Sequence, residues 1–307
     1  MSKRSIKDRV SEAVVKGALR LSFKTASGLP LPYPVLRGAM ELGSSLFHPR
    51  PDISIVPAKL GSVLSEVAIP AGKPFGVLLH CHGGAFFAGS SRTHRALSTE
   101  LAARGNVQVY MIDYRRAPEN PYPAALDDVK EAYLSLLAQG WQPQQICLGG
   151  DSGGCALILA LAIALRDGGQ PLPAGMLMIS PYVDITLSLP SVVANASRDP
   201  MIKAFALQRG GDGYRGSIAA HDPRVSPLYA DLQGLPSLFI QAGSEEILVD
   251  DARQLAQRAQ QAGVDVRLHV YDGMWHNFQM FNAFVRTADM ALNELGNFIR
   301  QQVGLKV

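Results

Sequence analysis

Residues 145–166 constrain this chain more than any other stretch. A strand-like run at 145–149 meets Gly150-Asp151-Ser152-Gly153-Gly154, and an unbroken apolar run, 155–165, follows before Arg166. A helix that is apolar on every side and this short belongs inside a core, because a membrane span needs about 20 apolar residues. The turn between strand and helix must be sharp. Residues two before and two after its serine cannot carry side chains without a clash, and Gly150 and Gly154 meet that demand. Strand, Gly-x-Ser-x-Gly and helix in this order form the context of a nucleophile elbow. The helix dipole and free N–H groups then point at the serine oxygen.

The rest of the chain repeats the rhythm. The patterning predicts strands at 63–69, 75–81, 107–112, 145–149, 175–180, 237–242 and 264–271, and helices at 96–103, 124–139, 152–166, 250–262 and 278–302. Strands alternating with helices imply a mostly parallel central sheet covered on both faces, an α/β fold. Two stretches break the rhythm. One is the first 50 or so residues, a helix followed by Pro30, Pro32 and Pro34. The other is 184–232, rich in proline and containing Gly210-Gly211-Asp212-Gly213, which reads as an irregular insertion above the sheet. Residues 1–307 are expected to form a single domain.

Composition excludes several classes. With 47% hydrophobic residues in 307, the chain is neither disordered nor in need of disulfide staples. Cys81, Cys147 and Cys155 have no zinc-ligand spacing, and Cys155 reads as a small buried hydrophobe. The net charge of +3 leaves no footprint for nucleic acid. That charge is uneven: residues 1–24 carry seven basic groups, Lys3, Arg4, Lys7, Arg9, Lys16, Arg20 and Lys24, against Asp8 and Glu12. Lys16 and Arg20 interrupt any secretory apolar region, so a cytoplasmic location is expected, without stable membrane insertion. Ile6, Val10, Ala13, Val14, Gly17, Ala18 and Leu21 fall on one helical stripe. The expectation is an amphipathic helix with its basic face outward and its apolar stripe covering the protein; a membrane-surface helix is the less favoured alternative, since the apolar face lacks large anchoring side chains.

Two further motifs follow strands. His82-Gly83-Gly84-Ala85 ends the 75–81 run, and two glycines there can bring backbone N–H groups close to a developing negative charge. Tyr114-Arg115-Arg116-Ala117-Pro118-Glu119, then Pro121-Tyr122-Pro123-Ala124-Ala125, is a proline-fixed loop leading into a helix. Asp113 and Asp127 read as structural partners of that loop.

With Gly150–Gly154, these motifs resemble those of the bacterial hormone-sensitive-lipase-like (family IV) esterases of the α/β-hydrolase superfamily. That family carries His-Gly-Gly-Gly, Tyr-Arg-x-Ala-Pro-Glu-x-Pro-[Phe/Tyr]-Pro-Ala and Gly-Asp-Ser-Ala-Gly-Gly in the same order, over about residues 60–300 here. Ala85, Gly153 and Cys155 depart from the pattern. The resemblance implies an α/β-hydrolase fold with a helical cap, formed here by about 1–45 and 184–232. It implies Ser152 as nucleophile and N–H groups of Gly83, Gly84 and Gly153 as the oxyanion hole. The base must follow the serine. Of His221, His269 and His276, the last sits in a loop after the final strand and resembles the family's Gly-Met-x-His. The family's acid lies in Asp-x-Leu-x-Asp; aligning Leu248 and Asp250 places Glu246 there, with Glu245 and Asp250 as the other candidates. Asp250 and Asp251 also suit a helix N-terminus. The implied function is hydrolysis of short-chain acyl esters through an acyl-enzyme, without metal or organic cofactor. The partner is a small-molecule ester, with a homodimer implied by the family. A lactone hydrolase, a deacetylase or a non-catalytic ligand-binding relative are the alternatives.

Overall fold

Buried strands place their successive side chains on opposite faces of a sheet, and the core divides accordingly. The computed structural model describes residues 5–304. The chain opens with α1 (Ile6–Leu19), a π-helical turn at Arg20–Lys24, α2 (Thr25–Ser27) and α3 (Tyr33–Ser44). Then come β1 (Ser54–Leu60), β2 (Val63–Ile69), β3 (Val77–Cys81), α4 (Arg95–Gly105), β4 (Gln108–Ile112), α5 (Ala124–Ala138), β5 (Ile146–Asp151), α6 (Gly153–Asp167) and β6 (Gly175–Ile179). The last part holds α7 (Ser191–Ala194), α8 (Ala204–Arg215), β7 (Leu238–Gly243), α9 (Val249–Gln261), β8 (Val266–Tyr271) and α10 (Arg286–Gln302).

Among the described residues, eight strands form one sheet in the order β1-β2-β4-β3-β5-β6-β7-β8. β2 is antiparallel to both β1 and β4, and the other pairs are parallel. The α/β-hydrolase fold class is thus the observed one. β3, β5, β6 and β7 are buried along their whole length. Leu78, Cys147, Leu177 and Phe239 pack with Leu97 and Leu101 of α4 and Leu292, Leu295 and Ile299 of α10. Leu79, Leu148 and Met178 turn the other way, toward Leu157, Leu161 and Leu165 of α6 and Leu136 of α5. Each fully buried leucine contributes up to about 1.5–3 kcal/mol, so α6, buried at nearly every position from Gly153 to Ala162, is pinned under the sheet centre.

Three expectations are corrected. β1 is an additional strand; it is an edge, largely exposed, and carries Pro57, which a central strand would exclude. The expected helix 278–302 is split into a short turn at Phe278–Phe281 and α10. The third concerns α1. It buries Glu12 and Leu19, whereas Ile6, Val10 and Val14 are 82%, 58% and 66% exposed. Ile6, Val10 and Leu21 of the stripe therefore face out, while Val14 and Ala18 border the cavity described below. The surface beneath the helix is mixed: Leu19 and Val15 pack on the apolar core, Lys16 Nζ meets Glu245 Oε2 at 2.7 Å and lies over the Trp275 ring, and Ser11 Oγ donates to the Phe284 carbonyl. Lys3 and Arg4 lie outside the described residues.

The insertion is more ordered than its composition suggests. Gly210, Gly211 and Gly213 lie within α8, where a side chain at Gly210 would run into the Ala85 carbonyl and one at Gly211 into the Tyr182 hydroxyl. The glycines buy close approach of that helix to the site.

Candidate active site

Ser152 sits between β5 and α6 with φ 50° and ψ −122°, in the left-handed region that a serine adopts only under constraint. The constraint is visible. Its N–H donates to the Ile179 carbonyl at 2.9 Å, and its carbonyl accepts from Cys155 and Tyr182 N–H at 3.0 and 3.1 Å. A Cβ on Gly150 would stand 2.7 Å from the Gly154 carbonyl carbon, and one on Gly154 would collide with the Cys81 carbonyl. Cys155 is fully buried and its Sγ reaches the Gly150 carbonyl at 3.1 Å, while burial pushes its thiol far up, so it remains protonated.

Beside the elbow runs the loop after β3. Gly84 has φ 123°, a conformation that favours glycine, and Ala85 and Phe86 follow at φ 48° and 64°. Ala85 thus occupies a left-handed position where the resembling family has glycine. No described acceptor takes a hydrogen bond from the N–H groups of Gly83, Gly84 or Gly153. His82 is buried, which lowers its pKa to about 3 with help from the nearby His94 charge, and it is therefore neutral. Its Nδ1 is 2.9 Å from the Gly83 carbonyl, and its ring stacks on Tyr114, whose hydroxyl donates to the His82 carbonyl at 2.8 Å. Fixing the Gly83 carbonyl fixes the Gly84 N–H of the same planar peptide, which points the opposite way.

The expected acid and base, Glu246 and His276, follow β7 and β8. His276 Nδ1 is 3.0 Å from Glu246 Oε2, both groups buried, which leaves Nε2 as the ring atom able to take a proton. Glu246 Oε1 accepts from Ser180 Oγ at 3.1 Å and from the Gly243 N–H. Burial pulls the His276 imidazole down; the hydrogen bond and charge of Glu246 outweigh it, so its pKa lies above the ordinary histidine value. The other candidate acids are engaged elsewhere. Glu245 pairs with Lys16, and Asp250 accepts from Ser191 N–H at 2.9 Å and pairs with Arg253. Asp250 and Asp251 do open α9, and Asp251 also accepts from the N–H groups of Val183 and Asp184. Of the other histidines, His269 lies on β8 against Glu294 at 2.9 Å, and His221 is exposed.

One cluster escapes sequence reasoning. Asp151, the residue before Ser152, is fully buried and ringed by His80 Nε2 at 3.1 Å, His94 Nε2 at 3.3 Å and Asn277 Nδ2 at 2.7 Å. Burial alone would raise its pKa, but the charge of His94 and the bonds from both histidines hold it well below the carboxylate range. His94 is correspondingly lifted above its ordinary value: burial opposes the proton, and the Asp151 charge outweighs it. Asn277 also donates its N–H to Ser180 Oγ at 3.0 Å. Asp151 thus ties β3, the elbow and the His276 loop together. The only hint in the chain was an unusual density of histidine around the motifs, His80, His82 and His94. The proline-fixed loop also has other partners than expected. Asp128, not Asp127, holds Arg115 through its N–H and guanidinium, and Asp113 accepts from Ser91.

Ser152, His276, Gly83 and Gly84 open into a cavity of about 730 Å³ with mainly apolar walls. Leu19, Phe23, Leu36 and Met40 of the N-terminal segment line one side, and Ile202 and Leu207 of the 184–232 segment another. Lining of this size and character suits a small organic ligand. Among the described residues, no group of three or more His, Cys, Asp or Glu side chains could hold a metal ion, and no helix is long and apolar enough to cross a membrane.

Comparison with known proteins agrees with this geometry. A family model described as alpha/beta hydrolase fold matches residues 78–280. An esterase of Acinetobacter venetianus is 42% identical over 281 residues, 91% of this chain and 93% of the relative. An acetyl-hydrolase of Streptomyces hygroscopicus is 35% identical, covering 95% of this chain and 96% of the relative. Among solved structures, an esterase from the bacterial hormone-sensitive lipase family superposes with a TM-score of 0.90 at 35% identity, covering 98% of this chain and 100% of the other. An esterase whose crystal was soaked with p-nitrophenyl butyrate gives 0.91 at 33% identity, covering 95% and 98%. With the elbow, the glycine loop and the sheet order all in place, this chain belongs to the α/β-hydrolase family, in its bacterial hormone-sensitive-lipase-like (family IV) branch.

Proposed function

We propose that this chain is a serine carboxylesterase that opens short-chain acyl esters through an acyl-enzyme, with Ser152, His276 and Glu246 as its triad. The observation that carries the proposal is the buried Glu246–His276 pair, at 3.0 Å, facing the same cavity as the strained Ser152. In this mechanism His276 Nε2 takes the Ser152 proton as Oγ attacks the ester carbonyl. The oxyanion is met by the N–H groups of Gly83, Gly84 and Gly153. Collapse expels the alcohol, which receives the proton from His276. Water, activated by the same imidazole, then attacks the acyl-serine and releases the acid. Glu246 holds the Nδ1–H tautomer and stabilises the imidazolium without itself taking the proton.

The acyl group is proposed to lie among Leu19, Phe23, Met40 and Leu207, so residues 1–45 and 184–232 serve as a cap on a single domain. The acetyl-hydrolase name of one relative and the butyrate ester soaked into another support a short acyl chain. Ser152→Ala is expected to lower turnover of p-nitrophenyl butyrate by at least about 10⁴-fold while circular dichroism and urea unfolding stay unchanged. Retained turnover in that variant would refute the nucleophile. A panel of p-nitrophenyl acetate to dodecanoate, with lactones alongside, measures the acyl preference and separates open from cyclic esters.

A further inference from the structure

We propose that the outward apolar face of α1 docks on an anionic phospholipid bilayer, so that the acyl cavity opens against the membrane surface. Ile6, Val10 and Val14 stand one turn apart on that face, and Leu21 continues it at 85% exposure. The face opposite holds Glu12 and Leu19 against the protein. A helix that turns its apolar stripe to water is unusual; large exposed apolar patches mark binding surfaces.

The patch is continuous with the cavity. Val14 lines the cavity together with Leu46 and Phe284, which are themselves exposed. Its occupant is specified by charge. Lys7, Arg9 and Arg20 are exposed and flank the apolar stripe, and the Arg20 guanidinium makes one long hydrogen bond to the Arg198 carbonyl. The acids of the helix offset them only in part: Asp8, partly exposed and hydrogen-bonded to the neutral Ser5, keeps its negative charge beside Lys7 and Arg9, and Glu12 is buried on the far side, so three exposed cations face one acid. Lys16 and Lys24 turn inward, to Glu245 and to the Ala196 and Asp199 carbonyls. Apolar side chains between cations are the signature of a helix lying in the interface plane of an anionic membrane. A second protein copy would need a matching acidic surface, and the flanking cations make the self-complementary contact repulsive.

The experiment is vesicle co-sedimentation of the full chain with phosphatidylcholine alone or mixed equally with phosphatidylglycerol. Each exposed cation adds about fivefold to the partition onto an anionic surface. The wild-type chain is expected to pellet with the anionic vesicles and to be released by salt. Lys7→Gln/Arg9→Gln/Arg20→Gln is expected to bind both vesicle types equally and weakly. Ile6→Ser/Val10→Ser is expected to lose binding at least tenfold, and Ile6→Leu/Val10→Leu to gain it. All three variants should turn over soluble p-nitrophenyl acetate as the wild type does. Ser152→Ala should pellet like the wild type, which keeps this result independent of the esterase reading. No association with anionic vesicles, or association unchanged in the serine pair, would overturn the proposal. So would a larger assembly in gel filtration that Ile6→Ser/Val10→Ser converts to monomer, since a second copy would then own the patch.

Discussion

Glu246 acts on His276 in two opposed ways at once, and pH separates them. Its burial with the imidazole disfavours charge, but its hydrogen bond and negative charge win, so His276 holds a proton to higher pH than a free imidazole. The base works only when neutral, and the acid limb of kcat/KM should therefore lie above the ordinary histidine value. Glu246→Gln removes the carboxylate charge. It is expected to lower kcat by about 10²–10⁴-fold and to move the acid limb to lower pH, as read from a pH–rate profile of p-nitrophenyl butyrate hydrolysis. An unmoved limb would show that Glu246 does not control the base. At this scale the elbow was legible because turn sterics demand particular residue types at particular spacings. The choice of Glu246 over Glu245 and Asp250 came from the family resemblance and not from the residues alone, because it depends on which way neighbouring side chains project from one loop. Glu245 turns to Lys16, and Glu246 turns inward to His276.

Elements carry the next set of constraints. α8 lies so close to the oxyanion loop that Gly210 has no room for a methyl group, the obstacles being the Ala85 carbonyl and the Phe87 ring. Gly210→Ala is therefore expected to cost about 1–3 kcal/mol in urea unfolding and to depress kcat/KM, because the loop bearing Gly83 and Gly84 must give way. An isolated Gly→Ala in a free helix would instead stabilise it, so the sign of the change tests the contact. This contact could not be read from the chain. A run of Gly210, Gly211 and Gly213 looks like a loop until the packing partners are known. The helical period of α1 was legible in the same partial sense. Periodicity tells which residues share a face, but the contacts of Lys16 with Glu245, of Ser11 with the Phe284 carbonyl and of Leu19 with the core fix which face turns inward. β1 was missed because Pro57 and an exposed, edge-strand pattern carry no buried periodicity.

At the scale of the whole molecule, parallel sheet, central α6 and the order of motifs were all visible, since burial on both faces of a strand leaves a continuous apolar run. What distance along the chain conceals is the Asp151 cluster, whose members lie 57 to 126 residues from it in sequence. The folded pKa of Asp151 is depressed, so its contribution to stability is present above the ordinary carboxylate range and lost as pH falls toward its folded value. His94 works the other way, contributing below its ordinary value and losing that contribution as pH rises through its raised one. Asp151→Ala leaves the ring nitrogens of His80 and His94 and the Asn277 amide without their buried acceptor and is expected to cost about 1–3 kcal/mol in denaturant unfolding at neutral pH. Adding His94→Ala to it should cost much less than the two single changes summed, and additive costs would mean the groups are not coupled. The shared carboxylate has a consequence for descent. Loss of Asp151 would leave His80, His94 and Asn277 without their buried acceptor at once, so a lineage that replaces Asp151 will show compensating changes at the other three.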